Sequence, residues 1–422
     1  IRAVDKRVTD IPDGLRSYLA ENRASLVEHA RELLAVDTQN PPGETAPLAD
    51  TLEETFSSLG LDTDRVVADP AKPNLLATLP GGTDRTLLYN GHMDTVPYEG
   101  DAWTHDPLGE RDGDRLYGRG ATDMKGALAA MVFTARAFAE TDTTPPVTLQ
   151  FAFVSDEETG GDAGLPTVLA RRDIDADGCV IGETTCEGGR HSVTVADRGS
   201  IWLTLSATGE AAHGSRPMLG ENAIDRLYDA VGRIRAEFGS QRLDLDPALD
   251  AIVEESVEYY TPRLGEGAAR ALFAYPTVNL GTIEGGESVN SVPQSARARL
   301  DIRLAPAVDT ERILGRIRSC VRDCAGIAIE DVSWSVGTYE PVDSPLVDAV
   351  SGTAEAVTGE RIYRRSATGG GDAKTVRNAG IPTVEFGLGT DTAHAVDEYT
   401  TVDALAGNAA VYTRLPYRFG AD

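Results

Sequence analysis

Thr86-Leu87-Leu88-Tyr89-Asn90-Gly91-His92-Met93-Asp94 is a short apolar run that breaks, at a glycine, into a histidine and an acid. A run of that length ending in polar residues reads as a buried strand, and its imidazole stands where the strand stops. The same pattern recurs along the chain. Val147 to Val154 runs into Ser155-Asp156-Glu157-Glu158, Cys179 to Ile181 into Gly182-Glu183, and Thr383 to Phe386 into a loop bearing His394, while Leu75 to Leu79 forms a further apolar run. Helical spacing lies between and before these strands, in Leu26, Val27, Ala30, Leu33 and Leu34, in Leu48, Leu52, Phe56 and Leu59, and from Gly126 to Ala139. Alternation of this kind predicts an α/β domain whose mostly parallel sheet is covered by helices.

From Asp197 the rhythm changes. A strand (Ile201 to Ala207), a helix (Glu221 to Phe238), an irregular acidic stretch, two strands (Thr277 to Ile283 and Ala296 to Leu304), a second helix (Thr310 to Cys324) and a strand near Val332 to Val336 follow in turn. This βαββαβ order is that of a ferredoxin-like sandwich. The α/β pattern resumes near Val342, so residues 197–338 read as a domain inserted into one formed by residues 1–196 and 339–422. A length of 422 residues suits two such cores.

The chain carries 67 acidic and 39 basic residues, a net charge of −28, and its lysines are Lys6, Lys72, Lys125 and Lys374 alone. Nucleic acid is a poor partner for this surface. Acidity spread along a chain is screened by strong salt, which points to halophilic adaptation. No apolar run is long enough to cross a membrane, residues 1–10 lack the pattern of a signal peptide, and Cys179, Cys186, Cys320 and Cys324 form no paired CxxC sites. A reduced, cytoplasmic protein is expected.

Ligands in open α/β sheets bind beyond the carboxyl ends of the strands. His92, Glu157, Glu158, Glu183 and His394 therefore converge on one cleft, joined by Asp123 from the glycine-flanked turn Tyr117 to Gly126. Imidazoles with carboxylates suit zinc. Two Zn²⁺ balance Asp123, Glu158, Glu183 and one hydroxide, whereas the same carboxylates without metal repel one another. Asp94 is placed to orient the His92 ring. Glu157, beside Glu158, is left to move a proton between water and a leaving amine. Each piece taken singly is common in proteins, and it is their order and shared position at strand ends that carry the reading.

Gly91-His92-Met93-Asp94-Thr95-Val96-Pro97, Gly118 to Gly126, Asp156-Glu157-Glu158-Thr159-Gly160-Gly161, Gly182-Glu183, Ala212-His213-Gly214, Asn290-Ser291-Val292-Pro293 and Ala393 to Tyr399 together resemble the motifs of the zinc exopeptidase and deacylase family. That family includes acetylornithine deacetylase, succinyl-diaminopimelate desuccinylase, aminoacylase and the carboxypeptidase G type. The resemblance implies two Zn²⁺, with Co²⁺ able to substitute, held by His92, Asp123, Glu158, Glu183 and His394. Asp123 bridges, Glu157 is the general acid/base, and Asp94 stands behind His92. It further implies that the inserted domain is a lid that forms a homodimer, with His213 steadying the oxyanion in the neighbouring subunit.

Asn290, Arg303, Gly370 and Gly371 match positions that hold substrate, although Arg303 equally reads as a solvated strand face and Gly369 to Gly371 as a flexible loop. The activity implied is cleavage of the amide bond of a small N-acyl amino acid. A dipeptidase or carboxypeptidase on the same scaffold is the alternative, and a catalytically silent ligand-binding relative the remote one. Desuccinylase-like sequences carry two arginines before Gly-Ser at the lid entry, where this chain has Asp197-Arg198-Gly199-Ser200.

Overall fold

The computed structural model describes residues 11–239, 245 and 247–421; the expectation drawn from residues 1–10 lies outside them. Two compact units are formed, one by Ile1–Val195, Glu340–Arg364 and Gly371–Asp422, the other by Ala196–Tyr339 and Arg365–Gly370. Among the described residues no helix is long and apolar enough to cross a membrane.

Strands β1 (Asp62–Val66), β2 (Asn74–Leu79), β3 (Thr86–His92), β4 (Glu110–Asp112), β5 (Arg115–Tyr117), β6 (Thr148–Val154), β7 (Gly178–Ile181) and β8 (Ser192–Ala196) come first. Next are β9 (Gly199–Thr208), β10 (Thr277–Gly285), β11 (Ser295–Leu304) and β12 (Ile327–Ser335), then β13 (Tyr363–Ser366), β14 (Thr383–Glu385) and β15 (Tyr399–Thr401). The main sheet of the first unit has the order β1-β2-β6-β3-β7-β14-β8-β13. Its centre, β6-β3-β7-β14, is parallel, while β1, β2 and β8 join antiparallel. The expectation of a mostly parallel sheet is thus corrected to a mixed sheet with a parallel centre. The link between β1 and β2 is too short for the crossover that a parallel pair needs.

Helix Lys125–Glu140 is buried along almost its whole length and packs against helices Arg23–Leu34 and Val402–Phe419, as a helix apolar on every face must. Its first turn presses on the strand ends. A Cβ on Gly91 would lie 2.4 Å from Met124 Cε, and one on Gly182 would lie 2.7 Å from Met131 Cε. Glycine before His92 and Glu183 lets the helix pack closely against both strand ends.

The second unit contains a sheet of order β10-β11-β9-β12 in which every neighbouring pair is antiparallel. One face of that sheet, with Leu203, Leu205, Leu300 and Ile302, buries Leu227, Val231, Ile313 and Ile317 from helices Ala223–Phe238 and Thr310–Arg322. Asn222 caps the first of these helices by accepting from the Ile224 and Asp225 amides. The stretch read as irregular and acidic contains two helices, Pro247–Leu264 and Glu266–Ala274. Leu249, Ile252, Val253, Val257 and Tyr260 are buried at helical spacing, and Glu254, Glu255 and Glu258 interleave with them.

Phe151 on β6 is buried, with its ring 5.2 Å from Phe56 and 5.7 Å from Tyr89. Phe151→Ala is expected to cost about 3–5 kcal/mol in denaturant-induced unfolding of the first unit; a loss below about 1 kcal/mol would place the ring outside the core.

Candidate metal centre

Because β6, β3, β7 and β14 run parallel, their carboxyl ends share one edge of the sheet. His92 closes β3, Glu157 and Glu158 follow β6, Glu183 follows β7, and His394 lies in the loop after β14. Asp123 comes from the turn that opens helix Lys125–Glu140. Its two carboxylate oxygens face in different directions. Oδ1 lies 3.2 Å from His92 Nε2, which is also 3.3 Å from Glu183 Oε1. Oδ2 lies 3.1 Å from His394 Nε2, which is 3.2 Å from Glu158 Oε2. Two donor sets therefore share one carboxylate. The Glu157 carboxylate belongs to the same cluster, within reach of His92 and Glu183. A Cβ on Gly371 would stand 3.0 Å from Glu157 Oε1, so the glycine leaves that carboxylate its space.

The ring of His92 is oriented through Nδ1, which lies 2.9 Å from the backbone carbonyl oxygen of Asp94. The Asp94 carboxylate stands 3.8 Å from Nδ1. It accepts instead from the backbone amides of Glu157 and Glu158, both at 3.2 Å, and from Asn40 Nδ2 at 2.8 Å. The expected contact is thus made by the main chain of Asp94, and its side chain fixes the loop that carries the two glutamates. Asn40 also donates to Asp156 Oδ1 at 3.0 Å, and Lys72 pairs with the same oxygen. Asp156 has φ of 64°, a left-handed conformation that this set of bonds stabilises in a residue other than glycine.

Sequence reasoning missed Asn40, Lys72, Arg119 and Glu398. Glu398 stood in a quoted motif without a role, and Asn40 lies in Gln39-Asn40-Pro41-Pro42, which carries no signal of its own. Glu398 Oε2 accepts from Arg119 Nη1 at 2.6 Å, while Oε1 accepts from the amides of Gly120, Thr122 and Asp123.

Burial drives the Glu157 carboxyl up to about 8; Asp372, Glu158 and Asp123 add to this, and the His92 charge opposes it. Burial and Asp123 likewise hold Glu183 well above the usual carboxylate range. Hydrogen bonds to Asp123 and Glu158 raise His394 to about 10, and His92, despite its burial, is held up by Glu183 and Asp123. The imidazoles thus supply positive charge that these acids require, the requirement that cations meet at a metal site. Donor atoms about 2.0–2.2 Å from a tetrahedral zinc stand about 3.3–3.6 Å apart, a little wider than the 3.1–3.3 Å spacings found within each set. The donor set and its spacing fit two borderline divalent ions.

The other sequence candidates, except Gly371, belong to the second unit. His213 is exposed, with Nδ1 2.8 Å from Ser215 Oγ, and it bridges to Ser291 so that its loop lies beside Asn290. A Cβ on Gly214 would meet the Asn290 carbonyl carbon at 2.8 Å, so only glycine permits this approach. Arg303 is held in a two-bonded pair with Asp301, at 2.7 and 3.1 Å. Gly370 ends the segment Arg365–Gly370 of this unit. Asp197 is buried and accepts from the Thr338 amide at 3.2 Å. Arg198 is buried and donates to the Arg303 carbonyl at 3.0 Å.

A family profile described as Peptidase family M20/M25/M40 matches residues 88–418. The succinyl-diaminopimelate desuccinylase of Xanthobacter autotrophicus is 30% identical over 403 residues, spanning 92% of this chain and 98% of that protein. Its counterpart from Dinoroseobacter shibae is 32% identical over 348 residues, 79% of this chain and 83% of that one. In fold, the chain is similar to an M20 family metallo-carboxypeptidase of Sulfolobus solfataricus, with a TM-score of 0.74 and 21% identity over 97% of this chain and 100% of that one. It is also similar to the YXEP protein of Bacillus subtilis, a dinuclear metal-binding peptidase of the M20 family, with a TM-score of 0.64 and 15% identity over 94% and 98%.

Zn²⁺ at about a hundred times its Kd is expected to add about 2.7 kcal/mol of stability per site, seen as a rise in Tm that a chelator reverses. A Tm indifferent to both zinc and chelator would mean that the cluster holds no cation.

Proposed function

We propose that this chain, which belongs to peptidase family M20/M25/M40 and is a metal-dependent amide hydrolase, is a two-zinc enzyme that cleaves small N-acyl amino acids, as deacylases of the acetylornithine and succinyl-diaminopimelate type do. The observation that carries this reading is the division of Asp123 between two donor sets. His92, Asp123 and Glu183 would hold one ion, and Asp123, Glu158 and His394 the other, with Co²⁺ able to substitute for Zn²⁺. Bound there, the pair supplies a Lewis acid for the amide carbonyl and lowers the pKa of the attacking water.

Glu157 is the carboxylate left over by these two sets, and it acts as the proton carrier. It takes a proton from water as the oxygen attacks the carbonyl carbon, then delivers it to the amine nitrogen as the C–N bond breaks; the second water proton passes from the new carboxyl group to the amine, so the products are a carboxylate and an ammonium group. Asp94 keeps Glu157 and Glu158 in place through their backbone amides. We read the second unit as a ferredoxin-like lid. His213 would donate to the oxyanion from the lid of a partner subunit, and Asn290, Arg303, Gly370 and Gly371 would hold the substrate, Arg303 exchanging Asp301 for a substrate carboxylate. The exposed edge strand β10 and exposed Ile283, Tyr228, Met218, Leu219 and Val289 support a homodimer through this lid. The charge of −28 supports work in a salt-rich cytoplasm.

The dipeptidase or carboxypeptidase reading gains weight from Asp197, because the second guanidinium of the desuccinylase pattern is replaced by a buried acid bonded to Thr338. N-acetyl-ornithine, N-succinyl-diaminopimelate, N-acetyl-methionine and dipeptides, assayed in molar KCl with Zn²⁺ or Co²⁺ and a chelator control, separate the two readings. Glu157→Gln is expected to lower turnover of the preferred substrate by about 10²–10⁴-fold with metal content retained. Undiminished turnover would remove Glu157 from the chemistry.

A further inference from the structure

We infer that Glu398 and Arg119 are positioning residues for one of the two cation positions, the one framed by Asp123 Oδ2, Glu158 and His394; this rests on the two-cation reading above. The two positions are built differently. His92 ends β3 and Glu183 follows β7, so the first position stands on the parallel centre of the sheet. The second depends on His394, whose side chain is 52% exposed and whose φ is 63°, in a loop between β14 and β15. A left-handed, exposed residue on a loop holds its ring in place only if its surroundings fix the backbone.

Glu398 and Arg119 provide that fixation. The Glu398 carboxylate is fully buried and closes the turn of Asp123 by accepting from the amides of Gly120 at 3.1 Å, Thr122 at 3.0 Å and Asp123 at 3.1 Å. Its other oxygen holds Arg119 Nη1 at 2.6 Å, and Arg119 Nη2 reaches the carbonyl of His394 at 3.4 Å. The main chain repeats the link, since the Gly118 amide donates to the Glu398 carbonyl at 2.9 Å. The guanidinium lies 5.3 Å from the centre of the Trp103 ring, which restricts its movement. One buried ion pair thus joins the turn carrying the shared carboxylate to the loop carrying the histidine. Glutamine has a single acceptor oxygen in place of two, so it satisfies either the three amides or the guanidinium, but not both.

The test is Zn²⁺ titration of the metal-free full chain against a chromophoric chelator, with Glu398→Gln and the milder Arg119→Lys beside the wild type. Two binding steps are expected in the wild type. In Glu398→Gln the weaker step should lose about ten- to a hundred-fold in affinity while the tighter one shifts by less than about three-fold; Arg119→Lys should move the same step in the same direction by less. Retention of the tighter step shows that the variant is folded, and if Glu398→Gln lacks it, Arg119→Lys decides. Equal shifts in both steps, or no shift in either, would overturn the assignment. A wild-type chain that takes up a single cation would remove the second position itself, a failure of the two-cation reading visible before any variant is made.

Discussion

A carboxylate has two oxygens, and at the centre of the first unit the two oxygens of Asp123 serve different imidazoles, Oδ1 at His92 and Oδ2 at His394. Both donor sets depend on the plane of that one group. That group is carried by the turn before helix Lys125–Glu140, where the Ala127 and Leu128 amides donate to the Met124 carbonyl. The cost of placing several acids so close together is offset by dense backbone hydrogen bonding. Asp94, Glu398 and Asp156 each accept from main-chain amides or buried side chains, so the acids that hold the frame are kept distinct from those that face inward.

The division between frame and face explains what could be read in the sequence. The inward residues stand at strand ends, and strand ends are visible as apolar runs that stop at a glycine or an acid; His92, Glu157, Glu158 and Glu183 follow such runs. The frame residues have no such marker. Asn40 is brought to Asp94 and Asp156 from far along the chain, and the fold alone makes that meeting. Asp94 was legible as a support for His92, but whether its carboxylate or its carbonyl does the work is decided by the backbone path after β3.

The fold shows the same pattern. The parallel centre was legible because β3, β6 and β7 are rich in apolar residues and run into polar ones at their carboxyl ends. Strands Asn74–Leu79 and Ser192–Ala196 flank that centre, and their antiparallel sense follows from how the chain returns. In the second unit the helix Pro247–Leu264 was hidden by charge: Glu254, Glu255 and Glu258 make the segment read as acidic and irregular, although Leu249, Ile252, Val253, Val257 and Tyr260 keep helical spacing beneath them.

The near-absence of lysine has a practical side. Amine-directed reagents meet four side chains in the whole sequence. Lys125 is buried with Nζ on the Val36 carbonyl, and Lys72 is largely covered and paired with Asp156. Reagents that couple through lysine would therefore find few handles, and two of the four lie close to the frame of the carboxylate–imidazole cluster. Carboxylates are plentiful by comparison, so attachment to a surface or a dye is better directed to acids, or to a cysteine introduced away from the four free thiols already present.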